Sequence, residues 1–295
     1  MKAPEDLLIL AGAGALPRLV AEGARRAGVR RIGILGFKGA TPGSTLSLGD
    51  WSRRIPLKSL AVFRDAIRDA GFGSAILVGQ IGPLSYFRAA FDPEVRAALA
   101  EMPAHNAHTI FGRLIEEIEK AGPRVVPSSL FLASQIPAAP GVLSARAPTA
   151  AEEAAWRFGR KIADAVCDLD VGQTVVAKDG VALAVEGFDG TDATIRRGGR
   201  IARRGAVVVK VAKRGHDMRF DIPVVGGRTI RTMRKARCTA IFVQAGRVLF
   251  AGMPEVLRAA DRAGIAVVAY DSGLPPAPVL AASGGTDAEG KEHPA

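Results

Sequence analysis

Asp217, Arg219 and Asp221 stand two residues apart in the run HDMRFDIP. On extended chain, where side chains alternate, all three would face one side. Two carboxylates flanking a guanidinium suit a divalent cation with a phosphate beside it. The surroundings sharpen that chemistry. From Arg196 to Arg237 there are fourteen Lys or Arg, and Asp217 and Asp221 are the sole acidic residues. A surface that needs only solubility mixes its signs, whereas one that handles phosphates concentrates cations and keeps a carboxylate for a metal or a water. A salt-bridge ladder, with Arg219 neutralising both aspartates, is the alternative reading of the same three residues.

Other candidates gather around this stretch. GQTVVAKDG presents Gln173 and Lys178 at the two ends of a short strand, and VVVKVAKR adds Lys210 and Lys213. EGFDGTDATIRR places Glu186, Asp189, Thr191 and Asp192 around a glycine, its Thr-Asp pair reading as the cap of the helix that follows. In the first half, LAGAGALPR puts Gly12 and Gly14 between a strand and a helix. There a phosphate or sugar can approach the backbone and the helix N-terminus, although tight packing alone would also call for glycine. The dinucleotide fingerprint is incomplete, because Pro17 replaces the third glycine and RIGILGF ends without an acid for a ribose hydroxyl, which argues against a dehydrogenase. His105 and His108 have no Glu or Cys at ligand spacing and read as a polar loop or cap. Ser44, Ser128 and Ser129 lack the context of a serine nucleophile.

These residues need elements to hold them. The chain has 295 residues, enough for two domains at roughly 100–200 each. Apolar runs (LLILAG, RRIGILGF, GSAILVGQIG) alternate with helical patterns as far as Phe131, which implies parallel strands covered by helices. The expected fold is therefore α/β. A Rossmann-like parallel-sheet domain would occupy residues 1–136, a Pro/Ala-rich linker 137–150, and a mixed α/β domain 151–271. Residues 272–295, lacking periodicity, are expected as a disordered tail. Thr149 and Glu152 have capping-box spacing, Asp179-Gly180 marks a two-residue hairpin, and TAIFVQAGRVLFAG reads as a strand pair turning at Gly246. The net charge of +11 favours an anionic partner. Aromatic residues at 5% and no base-reading motif argue against nucleic acid. Cys167 and Cys238 read as buried cytosolic thiols, and no run reaches the roughly 20 apolar residues of a membrane span, so a soluble cytoplasmic protein is expected.

The run DVGQTVVAKDGVALAVEGFDGTDATIRRGG, followed by VVVKVAKRGHDMRFDIPVVGGRTI, resembles the second domain of the UDP-2,3-diacylglucosamine pyrophosphatases of the LpxI type. The strand–glycine turn ending in Pro17 and the stretch GVLSARAPTAAEEA extend the resemblance to residues 7–270. It implies a metal-dependent hydrolase of lipid A synthesis that releases UMP and the diacylated sugar 1-phosphate. It also implies a homodimer working in the cytoplasm at the inner face of the inner membrane. The R-F-D-x-P motif makes Asp221 the catalytic residue, with Asp217 beside it as a metal ligand for magnesium or manganese. Gly12, Gly14, Gln173, Lys178, Thr191, Asp192, Lys210, Lys213 and Arg219 would bind the substrate, a UDP-linked diacylated sugar. The chain departs from the family at Ala13, where the turn usually carries Asn, at His105–His108, and at Asp189. Those departures motivate the alternative of a divergent relative that binds a nucleotide sugar or lipid without hydrolysing it.

Overall fold

The computed structural model describes residues 2–56, 58–80, 92–102, 107–215, 219 and 222–280. The first half runs β1 (Asp6–Ala11), α1 (Leu16–Arg26), β2 (Arg31–Phe37), α2 (Gly43–Leu46), β3 (Trp51–Ile55), α3 (Leu60–Ala70), β4 (Ser74–Val78), α4 (Pro93–Ala100), α5 (Ala107–Lys120) and β5 (Arg124–Val125). Its strands form one parallel sheet in the order β3-β2-β1-β4-β5. Alternation along β1 feeds two cores: Leu7 and Ile9 pack with Val20 and Ala24 of α1, while Leu8 and Leu10 pack with Phe63 of α3 and Ile115 of α5. A strand covered on both faces must be apolar at every position, which is why β1 and β2 read as unbroken runs.

The second half runs β6 (Gly141–Val142), α6 (Ala150–Asp168), β7 (Thr174–Lys178), β8 (Val181–Val185), α7 (Thr191–Ala202), β9 (Ala206–Lys210), β10 (Val224–Gly226), α8 (Gly227–Lys235), β11 (Cys238–Gln244), β12 (Leu249–Ala251), α9 (Met253–Arg262) and β13 (Ala266–Tyr270). A mixed sheet has the order β6-β13-β11-β9-β7-β8, with β9, β11 and β13 parallel and β6 and β7 antiparallel to their neighbours. Helix α6 covers one face, where Trp156 stacks on Phe242 with ring centroids 5.0 Å apart. Helices α7, α8 and α9 cover the other through Ile195, Ile230, Met233 and Val256. The α/β class and the two styles of sheet follow the sequence expectation.

Local signals landed where their chemistry put them. Thr149 Oγ1 accepts from Glu152 N at 3.2 Å while Glu152 Oε2 accepts from Thr149 N at 2.7 Å, closing the capping box. Asp179 and Gly180 take φ of 49° and 74°, the left-handed pair that a tight hairpin between β7 and β8 requires.

One expected pairing fails. β11 and β12 do not pair across Gly246: β12 lies parallel to β10 in a separate two-stranded sheet, and β11 is central to the large one. Within the segment read as a linker, 137–150, β6 pairs with β13 and Arg146 donates to the carbonyls of Thr239 and Gly264. Of the stretch 272–295, expected as a disordered tail, residues 281–295 lie outside the described residues and residues 272–280 are held by hydrogen bonds. Arg247 Nη1 donates to Pro275 O, and Leu280 N donates to Leu130 O.

Arg146 also grips both carboxylate oxygens of Glu152 at 2.9 Å. Burial works to raise the Glu152 carboxyl, but hydrogen bonds from Arg146, Thr239 and the Thr149 backbone outweigh it and hold the group at about 2, below its ordinary 4.5. A depressed carboxylate stabilises the fold above its unfolded value, and that stabilisation fades as pH falls from 4.5 towards 2. Glu152→Gln is expected to cost about 2 kcal/mol in urea unfolding at neutral pH. The gap from wild type should narrow through that acid range; a gap independent of pH would contradict the assignment.

Candidate active site at the carboxyl edge of the second sheet

Strand β7 is antiparallel to β9 and sets Thr174 opposite Lys210, the last residue of β9. The Lys210 side chain is buried, at 3% exposure. Its Nζ donates to Thr191 Oγ1 at 2.9 Å and to Thr174 Oγ1 at 3.2 Å. The Thr191 hydroxyl in turn donates a hydrogen bond to Glu186 Oε1 at 2.8 Å. Thr191 therefore does not cap α7. The N-cap position is Gly190, and no side chain fills that role. Gly172 makes the arrangement possible, because a Cβ there would come within 2.3 Å of the Glu186 carbonyl oxygen.

An ammonium has three donors and, among the described residues, Lys210 uses two, both on hydroxyls. Glu186 Oε2 is buried and, among the described residues, has no hydrogen-bond partner. Burying a charge is costly unless its hydrogen-bonding capacity is filled. A spare cationic donor and a spare carboxylate oxygen thus sit in one hydrogen-bonded group at a sheet edge. In parallel sheets the carboxyl ends of the strands are where ligands bind. Thr174 and Glu186 were not among the residues picked from the sequence as substrate-binding, although the hairpin signal at Asp179-Gly180 marked the strands that carry them.

The cations just beyond β9 are less free than their local sequence suggests. Lys213 Nζ meets Asp170 at 2.5 Å, Arg214 lies 3.5 Å from Asp168, and Arg160 lies 3.5 Å from Asp164. Arg160, Asp164, Asp168, Arg214 and Gln244 line a polar cavity of about 240 Å³. The acids facing Lys213 and Arg214 come from the end of α6 and the turn after it, more than forty residues earlier in the chain. Gln173 stands at the Lys210 end of β7 and accepts from Val211 N through its carbonyl at 2.9 Å. Lys178 is not brought to this group: it ends β7, about 13 Å along the strand from Thr174, beside Asp179. Asp192 is engaged by Arg228 of α8.

Asp217 and Asp221 lie outside the described residues. The described neighbours of Asp221 are anchored to the first sheet. The Arg219 carbonyl is 2.6 Å from Ser128 Oγ, which is also 2.8 Å from Leu77 O at the end of β4. Arg219 Nη1 lies 3.6 Å from Glu119, and Ile222 is buried in the cluster containing Leu7 and Ile9. The glycine turn abuts the same edge, with Gly12 N donating to Val78 O at 2.8 Å. Arg219 and the glycine turn are therefore brought to one sheet edge.

A Cβ on Gly12 would come within 2.7 Å of the Gln80 carbonyl oxygen, whereas Gly14, at φ +97°, faces open space. Close packing thus explains Gly12, and Gly14 is the residue a ligand could approach. Gly12→Ala is expected to lower the thermal midpoint by several degrees through backbone displacement, roughly 2 kcal/mol for a clash with main chain. An unchanged midpoint would show that the turn has slack.

The described residues alone do not fit a divalent cation. Such an ion takes about six oxygen ligands, yet among the described residues no group of three or more His, Cys, Asp or Glu could hold one. Glu186 offers one free oxygen, in the same group as an ammonium. Among the described residues no helix is long and apolar enough to cross a membrane.

Comparison with known proteins adds lineage to this geometry. The LpxI N-terminal domain matches residues 6–135, and the LpxI C-terminal domain matches residues 139–268. The UDP-2,3-diacylglucosamine pyrophosphatase LpxI of Caulobacter vibrioides is 26% identical over 283 residues, spanning 89% of this chain and 96% of the relative.

Proposed function

The chain belongs to the LpxI family, and from that premise we propose that it hydrolyses the pyrophosphate of UDP-2,3-diacylglucosamine. Water attacks one phosphorus, the bridging P–O bond breaks, and UMP and 2,3-diacylglucosamine 1-phosphate leave. The observation that carries this reading is the buried Lys210 ammonium, held by Thr174 and Thr191 with a donor to spare. That donor suits a non-bridging phosphate oxygen, where negative charge must be met in the transition state. Glu186, through Thr191, offsets the buried charge and keeps the ammonium aimed. Gly14 and the N-terminus of α1 are assigned to the nucleotide end of the substrate. Asp221 is assigned to the attacking water, which it positions and from which it accepts a proton.

A divalent cation bound by Asp217 and Asp221 belongs to the proposal and would supply charge neutralisation. Chelator is expected to abolish turnover, with magnesium or manganese restoring it; full activity in chelator would remove the metal from the account. In this reading the enzyme is cytoplasmic, works at the inner face of the inner membrane, and divides into two domains about residues 137–150.

The test is product formation from UDP-2,3-diacylglucosamine. UMP and sugar 1-phosphate in equal amounts support the proposal. Saturable binding without products would favour a non-hydrolytic relative, the reading that the departure at Ala13 suggests. One observation lessens the weight of that departure: Ala13 N and O both bond Gln80 at 2.9 Å, so main chain holds this turn without a side-chain amide.

A further inference from the structure

Helices α7 and α8 lie side by side on one face of the second sheet, each burying an apolar stripe and turning its other side outward. The outward side of α7 carries Arg196, Arg200, Arg203 and Arg204, the last two just past its final turn, all exposed. At 100° per residue Arg196 and Arg200 lie about 40° apart on the helix, which Arg203 ends at φ +61°. The outward side of α8 and its exit carry Arg231, Arg234, Lys235 and Arg237, also exposed. Acids in contact with this layer are already engaged: Asp189 holds Arg197 and Asp192 holds Arg228. Among the described residues none of the eight exposed cations has an acidic partner. They are also separate from Lys210, which is buried at the sheet edge. Eight uncompensated cations on one face of two helices need a function that solubility does not supply.

We propose that the α7–α8 face is the surface by which this protein docks on an anionic phospholipid bilayer. The inference rests on the proposed function, in which the substrate carries two acyl chains and resides in a membrane. Charge complementarity names the partner, since a leaflet containing anionic lipids attracts clustered Lys and Arg within a Debye length. Two exposed apolar side chains border the cations. Ile201 is 55% exposed beside Arg200, and Phe188 is 64% exposed in the segment leading into α7. Such residues suit the boundary between headgroups and acyl chains. Nucleic acid fits less well, because a polyphosphate backbone gives the exposed Ile201 and Phe188 side chains nothing to bury against. Thr191, the Lys210 partner, begins the same helix whose outer face would meet the lipid. Docking there brings the site to the membrane without inserting the protein.

The test is sedimentation of the full chain with vesicles, with no substrate present. Wild type is expected to bind phosphatidylglycerol–phosphatidylcholine vesicles, to release with salt, and to ignore phosphatidylcholine alone. The combined variant Arg200→Gln, Arg203→Gln, Arg231→Gln and Arg234→Gln should lose at least about a hundredfold in partitioning, each cation near an anionic surface counting for about fivefold. The same four positions changed to Lys should bind as wild type does, which separates lost charge from lost folding. UMP release from detergent-dispersed substrate should be equal in all three proteins. Wild type that fails to bind anionic vesicles, a Gln variant that still binds them, or a preference for duplex DNA over vesicles at physiological salt would each overturn the surface. Because vesicle binding is read without substrate, absence of UMP in the detergent assay would count against the hydrolase reading alone.

Discussion

Asp221→Ala is expected to lower kcat by at least about a thousandfold while leaving substrate affinity within a few-fold of wild type. The sign of the second half is the informative part. A carboxylate aimed at a pyrophosphate repels it unless the cation lies between them, and in this account Asp217 remains to hold that cation, so removing Asp221 costs little binding. What disappears is the group that orients and deprotonates the water, an interaction realised only as the new bond forms. Loss confined to kcat is the kinetic signature of such a group. Asp221→Asn should behave like the alanine variant, because it keeps the shape and loses the base. A variant that turns over at the wild-type rate would dismiss Asp221 from the chemistry.

Lys210→Met carries the second largest effect, a loss of about a hundred- to a thousandfold in kcat/KM, the cost of deleting one charged donor from a transition state. Stability should fall as well, because the apolar substitute leaves the Glu186 carboxylate without its cation. Adding Glu186→Gln should restore the midpoint while the rate stays low; a lysine that served only the fold would recover rate and midpoint together. Thr191→Ser should retain most activity, whereas Thr191→Val, lacking the oxygen that joins Lys210 to Glu186, should approach the Lys210→Met defect. Equal rates for Thr191→Ser and Thr191→Val would break the proposed relay.

Sequence and structure meet unevenly. Elements set by local rules were legible: the apolar runs of β1 and β2, the Thr149–Glu152 box, and the Asp179-Gly180 turn. Each rests on residues within a few positions of one another. The carboxyl edge was legible in its residue types, since Lys210, Thr191 and Gln173 were all singled out. Its wiring was not. Thr191 looked like a cap, because Thr before a helix usually satisfies backbone amides, yet its hydroxyl serves Lys210 and Glu186 instead. Lys178 was read at the opposite end of the strand from Gln173, and the strand carries it away from Lys210 and Thr191.

The density of cations was read within a window that excluded α6 and the turn after it, where Asp168 and Asp170 answer Arg214 and Lys213. The pairing of β10 with β12 joins segments that a hairpin reading would keep apart, and no local signal announces it. Non-local pairings of this kind depend on which apolar faces remain to be covered once the large sheet has formed.

The measurement that tests the central claim most directly is a crystal structure of the Asp221→Ala variant with UDP-2,3-diacylglucosamine bound. The account requires a non-bridging pyrophosphate oxygen within hydrogen-bond distance of Lys210 Nζ, with the nucleotide end against the turn at Gly14. A pyrophosphate seated instead in the polar cavity between Arg160 and Arg214, with Lys210 still facing only Thr174 and Thr191, would contradict it.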